Sequence, residues 1–132
     1  MINLINSDCI EAMKSLQDSS IDAVICDPPY GTTACKWDVV IPFNEMWQQL
    51  NRITKSNGAI VLFGSQPFTS LLISSNLVDF KYCWIYKKSK PSNFFAAKFQ
   101  PLNDTEDVCV FSRGGANNIC IVTGKQIGRA HV

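Results

Sequence analysis

The sequence predicts one α/β domain, built on a mostly parallel sheet with helices on both faces. Three observations carry this. Short apolar runs alternate with stretches of helical periodicity along most of the 132 residues. Two of the runs, Ile21 to Cys26 and Ala59 to Phe63, are largely apolar and bounded by turn residues, the pattern of strands buried on both faces. Asp27 and Gly64 follow these two runs directly, and ligands of open parallel sheets bind beyond the carboxyl ends of the strands.

Taken in order, Ile2 to Asn6 reads as a short first strand. Asp8 to Leu16 reads as a helix, with Asp8 as N-cap and Ile10, Met13 and Leu16 along one side. The Ile21 to Cys26 strand comes next. Phe43 to Lys55 is an amphipathic helix whose stripe is Phe43, Met46, Trp47, Leu50 and Ile53, and Asn57-Gly58 is expected to end it. After the Ala59 to Phe63 strand, Pro67 to Ser75 reads as a helix. Phe80 to Tyr86 and Asp107 to Phe111 are β-branched or aromatic strands, free to form an antiparallel pair across the long 87–105 connection.

Hydrophobic residues make up 46% of the chain and charged residues 17%, which excludes a disordered chain. No apolar run is long enough to cross a bilayer, and with no basic segment leading into an apolar one at Met1-Ile2-Asn3-Leu4 no secretory signal is expected. Six cysteines, at 9, 26, 35, 83, 109 and 120, form no CxxC pair and are expected to be buried, reduced thiols of a cytoplasmic protein. With one histidine and no ligand cluster, no metal is expected. The net charge of +1 gives no overall attraction to nucleic acid. Locally, Lys81, Lys87, Lys88, Lys90 and Lys98 crowd one stretch, which suits either phosphate contacts or a solvated loop.

The motif that carries chemistry is Asp27-Pro28-Pro29-Tyr30-Gly31, directly after a strand. With Ser7-Asp8-Cys9 upstream, the Gly58-Ala59-Ile60-Val61-Leu62-Phe63-Gly64-Ser65 strand and turn, and Ala97-Lys98 with Pro101-Leu102 downstream, the chain resembles the DNA amino-methyltransferases of the Asp-Pro-Pro-Tyr type from about Ile2 to Arg113. The resemblance implies a partial Rossmann-like methyltransferase fold and S-adenosylmethionine as methyl donor. It implies double-stranded DNA with a flipped target base as partner, most simply in a bacterial or phage-encoded protein. Asp as the first motif residue inclines the reading to the N-6 amino group of adenine. The amino group of cytosine N-4, a protein glutamine or RNA base, and an inactive nucleic-acid-binding fragment are the alternatives.

The chemistry gives these residues a rationale of their own. An exocyclic amino nitrogen is a poor nucleophile because its lone pair is delocalised into the ring. Two acceptors holding its hydrogens, the Asp27 carboxylate and the Pro28 carbonyl, draw it toward tetrahedral geometry and aim the lone pair at the methyl group. The two prolines stiffen the loop, and Tyr30 offers a flat face for stacking on the base. Pro28, Pro29 and Tyr30 are therefore expected in the catalytic site with Asp27.

Other residues are assigned by the resemblance and carry a structural reading beside it. Asp8, with Cys9, is expected to contact the methyl donor, along with Asp27; as a helix N-cap Asp8 has a second use. Gly64 is expected to shape the floor of the base pocket, or simply to connect strand to helix. Phe94 and Phe95 are expected to close the other side of the flipped base, or to pack on the sheet, and Lys87, Lys88, Lys90 and Lys98 to contact DNA. Trp37-Asp38 receives no catalytic role.

The glycine-rich Phe-x-Gly-x-Gly segment that cradles the donor's methionine part in this family is not found in the sequence. The expected organisation is a catalytic part over residues 1–113 and an irregular tail over 114–132. Gln126 to Val132 resembles a translated sequencing adapter, so an artefactual tail on a shortened reading frame is expected from about residue 126. Such a chain is expected to be poorly stable and barely active alone, because a half sheet leaves an edge and apolar surface bare.

Overall fold

The structure is a computed structural model that describes residues 2–92, 95 and 97–114. The expectations for Phe94, Cys120, the tail from 115 onward and the Gln126 to Val132 segment lie outside the described residues.

Seven elements follow one another: α1 (Cys9–Lys14), β1 (Ile21–Cys26), α2 (Phe43–Ile53), β2 (Thr54–Gly64), α3 (Phe68–Ser75), β3 (Phe80–Ser92) and β4 (Asn103–Phe111). The four strands form one sheet in the order β1-β2-β4-β3. β1 and β2 are parallel, with Val24 opposite Ile60 and Cys26 opposite Leu62. β4 runs antiparallel to both neighbours, pairing Leu62 with Cys109 on one side and Cys83 with Cys109 on the other. The sheet is thus mixed, and not mostly parallel as the sequence suggested. The connection from Ser92 to Asn103 is too short to carry the helical crossover that a parallel neighbour needs.

All three helices lie on one face. Ile10 of α1, Met46, Trp47 and Leu50 of α2, and Phe68 and Leu72 of α3 close over Ile60, Leu62, Cys109 and Phe111. The α2 stripe is the one its spacing predicts, with Trp47 tilted against Phe111 at 4.7 Å between centroids and donating Nε1–H to Ser75 Oγ at 2.7 Å. The opposite face carries Val61, Trp84, Tyr86, Val108 and Val110 around an apolar hollow, with Trp84 41% and Tyr86 52% exposed. No helix among the described residues covers it, so the two-faced arrangement is not seen there.

Three local expectations also shift. Ile2 to Asn6 forms no strand, because it has no pairing partner among the described residues; Ile2 and Leu4 stand 88% and 91% exposed. β1 is an edge strand and not one buried on both faces, which leaves Ile25 74% exposed. Asn57-Gly58 sits inside β2 and does not cap α2. The helix stops at Ile53, and β2 begins at once, held by Arg113 Nη2 donating to the Thr54 carbonyl at 2.6 Å and Ser112 Oγ to the Gly58 carbonyl at 2.8 Å.

The cysteines also depart from expectation. Cys109 is buried, but Cys9, Cys26, Cys35 and Cys83 are exposed, two of them at strand or sheet edges that lack a covering element. All five carry free thiols.

Candidate active site

β1 and β2 run parallel, so their carboxyl ends open on one rim of the sheet, and antiparallel β4 brings its amino end there too. Asp27 leaves β1 at this rim and is exposed, whereas Pro28 is buried and Pro29 half-buried. Proline fixes φ, so the pair holds the turn that carries Asp27 out of the sheet. Tyr30 is stacked on Phe68 of α3, with centroids 5.0 Å apart and planes 26° apart. Its hydroxyl donates to Asp27 Oδ1 at 2.7 Å. Burial, and then this bond to Asp27, push the Tyr30 phenol well above its usual range, so it stays a donor.

Around this turn lies a cavity of about 320 Å³, lined by Asp27, Pro28, Pro29 and Tyr30 on one side and by Thr32, Thr33, Trp37 and Asp38 on the other. A second cavity of about 530 Å³ shares Pro29 and Trp37 with it and reaches Asp8 and Cys9. The structure therefore brings Asp8, Cys9 and the Asp27 loop to adjoining spaces. Asp8 caps α1 as expected: Oδ1 accepts from the Ile10 amide at 2.9 Å and the Glu11 amide at 3.2 Å. Oδ2 has no hydrogen-bond partner among the described residues.

The remaining expected residues separate from this pair of cavities. Gly64 ends β2 at the same rim, but the space where its Cβ would stand is taken by Thr69 Oγ1 at 2.7 Å, so its smallness serves the seating of α3 on the sheet. The neighbouring polar hollow is lined by Ser65, Gln66, Asn103 and Glu106, among others. Phe95 is fully exposed and touches neither cavity. Lys87, Lys90 and Lys98 are exposed. Lys88 instead pairs with Glu106 at 2.7 Å, with side chains 17% and 22% exposed, so its charge is already matched. Among the described residues, no group of three or more metal-ligating side chains comes together.

Sequence reasoning missed Asp38. Its carboxylate accepts from the Gly31 amide at 2.8 Å, the Thr32 amide at 2.9 Å and the Thr33 amide at 2.7 Å. The Thr33 hydroxyl, and then these amides, hold its carboxyl down to about 2. Phe68, which backs Tyr30, was also missed. Neither has a signal in sequence spacing, because one acts through a loop closing on itself and the other across the sheet face.

No protein-family model matches the chain. Over 78 residues it is 33% identical to the type II methyltransferase M.HpaI of Haemophilus parainfluenzae, a stretch that is 52% of this chain and 25% of that one. Among the solved structures that share its fold are the following two. The PvuII DNA methyltransferase, cytosine-N4-specific, matches with a TM-score of 0.63 at 14% identity, over 82% of this chain and 48% of that one. The M1.HpyAVI–SAM complex matches with a TM-score of 0.63 at 23% identity, over 87% of this chain and 58% of that one. The fold is therefore that of the S-adenosylmethionine-dependent methyltransferases. The chain spans about half the length of these solved relatives and a quarter of M.HpaI.

Proposed function

We propose that this chain carries the catalytic part of a DNA methyltransferase that methylates the exocyclic amino group of adenine. The observation that supports this most is the Asp27-Pro28-Pro29-Tyr30 turn, held at the carboxyl end of β1 beside a cavity.

In this reading the target base leaves the duplex and enters the cavity of about 320 Å³. Asp27 and the Pro28 carbonyl accept its amino hydrogens, which sharpens the nitrogen lone pair. Tyr30 holds Asp27 Oδ1 by its hydroxyl, so the carboxylate is oriented before the base arrives and keeps Oδ2 for the amino group. Phe68 fixes the tyrosine ring from behind. As the nitrogen takes the methyl group it sheds a proton, for which the Asp27 carboxylate is the adjoining acceptor.

The methyl donor, S-adenosylmethionine, would supply an electrophilic methyl group on a sulfonium, the electrons of the broken methyl–sulfur bond staying on sulfur as a neutral thioether. The second cavity fits one end of it: Asp8 Oδ2 is open to a donor group, and Trp37, Val39 and Ile41 give apolar walls for a purine. Lys87, Lys90 and Lys98 are exposed cations for phosphate contact. The setting would be the cytoplasm of a bacterium or a phage-infected cell.

The cytosine amino group is the second reading, favoured by the fold shared with a cytosine-N4-specific enzyme. Incubation with DNA and tritiated donor, followed by nucleoside separation, decides between them. Label in N6-methyl-2′-deoxyadenosine supports the proposal, and label in N4-methyl-2′-deoxycytidine or in protein replaces it.

A further inference from the structure

We infer that Asp38 is a positioning residue that sets the catalytic loop by gathering the three amides after Tyr30, an inference that rests on the reading of that loop as catalytic. Gly31, Thr32 and Thr33 are consecutive, and all three N–H groups converge on one carboxylate. Oδ1 takes Gly31, while Oδ2 takes both Thr32 and Thr33. Successive amides pointing at one anion form a concave nest, which an anion of fixed position organises. The anion here is built in. Asp38 is only 8% exposed, and its own amide donates to the Cys35 carbonyl at 3.0 Å, which fixes the turn that presents the carboxylate.

The backbone agrees with this account. Gly31 takes φ +68°, the left-handed region, and a Cβ there would stand 2.8 Å from Val40 Cγ2. The 31–33 segment thus lies folded against the 38–40 segment, and Asp38 ties the two. The tie joins the chain one residue past Tyr30. It therefore fixes the exit of the turn whose entrance is fixed by β1, and Tyr30 in turn holds Asp27. Thr32, Thr33 and Asp38 also form one wall of the Asp27 cavity, so the tie sets that cavity's width.

Asp38 is not a second base in this arrangement. Its two oxygens accept from three amides, two of them on Oδ2, and a group so engaged has little left for a substrate. Replacing one carboxylate oxygen by an amide NH2 turns an acceptor into a donor facing an N–H, so Asp38→Asn should release at least one of the three.

The test is amide hydrogen exchange by NMR on the whole chain, with methyl transfer measured beside it. In Asp38→Asn, exchange at one or more of Gly31, Thr32 and Thr33 should rise at least about tenfold while Leu62 and Val110 keep their protection, one order of magnitude being about 1.4 kcal/mol of opening free energy. For methyl transfer, kcat should fall by about tenfold or more, with KM for donor and DNA changed by less than about threefold. Unchanged exchange at the three amides overturns the inference, as does a uniform loss of protection across β2 and β4. Should the variant fail to fold, the Asp38 carboxyl resonance of the unaltered chain serves: ionised at pH 3 it supports the tie, and protonated there it overturns it. Because exchange and titration need no turnover, a chain with the tie but no methyl transfer would defeat the functional reading alone.

Discussion

Adding one methyl group at Gly64 tests how the sheet seats the helix that backs Tyr30. In Gly64→Ala the new Cβ would lie 2.7 Å from Thr69 Oγ1 and 3.5 Å from Thr69 Cα. Thr69 is 2% exposed and β-branched on a helix, so its side chain has few rotamers in which to retreat. Overpacking of this kind destabilises by about 1–3 kcal/mol. Thr69→Ala alone should be close to neutral. It loses about 0.8 kcal/mol of buried methyl, but it also removes a buried hydroxyl with no hydrogen-bond partner among the described residues. The double variant removes the clashing atom, so it should be less destabilised than the two single variants summed. A coupling of about 1–2 kcal/mol is expected. Urea unfolding followed by tryptophan fluorescence measures all four corners of the cycle, provided the slope with urea stays constant. Additivity within about 0.5 kcal/mol would refute the close-approach reasoning.

Arg52 binds the Met13 carbonyl at 2.7 Å and the Leu16 carbonyl at 2.8 Å, tying α2 to the end of α1; Arg52→Met should lower stability by about 1–2 kcal/mol in thermal unfolding. Burial, and then the bond with Cys83, push the Cys109 thiol up to about 12, so at pH 8 a thiol-directed alkylating agent should modify exposed Cys9 and Cys35 rapidly and Cys109 only as the chain opens. If the chain binds DNA through the exposed lysines, Lys90→Ala should reduce the slope of log K against log salt by about 1. Lys88→Ala should leave it nearly unchanged, because Lys88 is paired with Glu106.

Periodicity made α2 legible to within two residues, since its stripe of Phe43, Met46, Trp47, Leu50 and Ile53 meets the sheet as drawn. Asp8 was legible as a cap because the N-cap bond is local. Strand partners were legible only for the last two strands, which were free to pair antiparallel and do so. The run from Ile21 to Cys26 has the composition of a central strand, yet its neighbour on the open side is absent among the described residues. Likewise nothing in Asp107 to Phe111 says that it inserts between β2 and β3. At the site, the turn after β1 was readable as catalytic through the resemblance carried by Asp27-Pro28-Pro29-Tyr30 and its companions, since a proline pair after a strand is by itself only a rigid turn. Asp38 was not, because its three donors are ordinary backbone amides that converge only once the loop has folded.

The central claim is that Asp27 acts on the amino nitrogen of a base. Its most direct test is tritiated methyl transfer to DNA at saturating donor, comparing the unaltered chain with Asp27→Ala after both are shown to be folded. The account predicts slow labelling of N6-methyl-2′-deoxyadenosine by the unaltered chain and none by the variant. Equal labelling by both, or none by either, would contradict it.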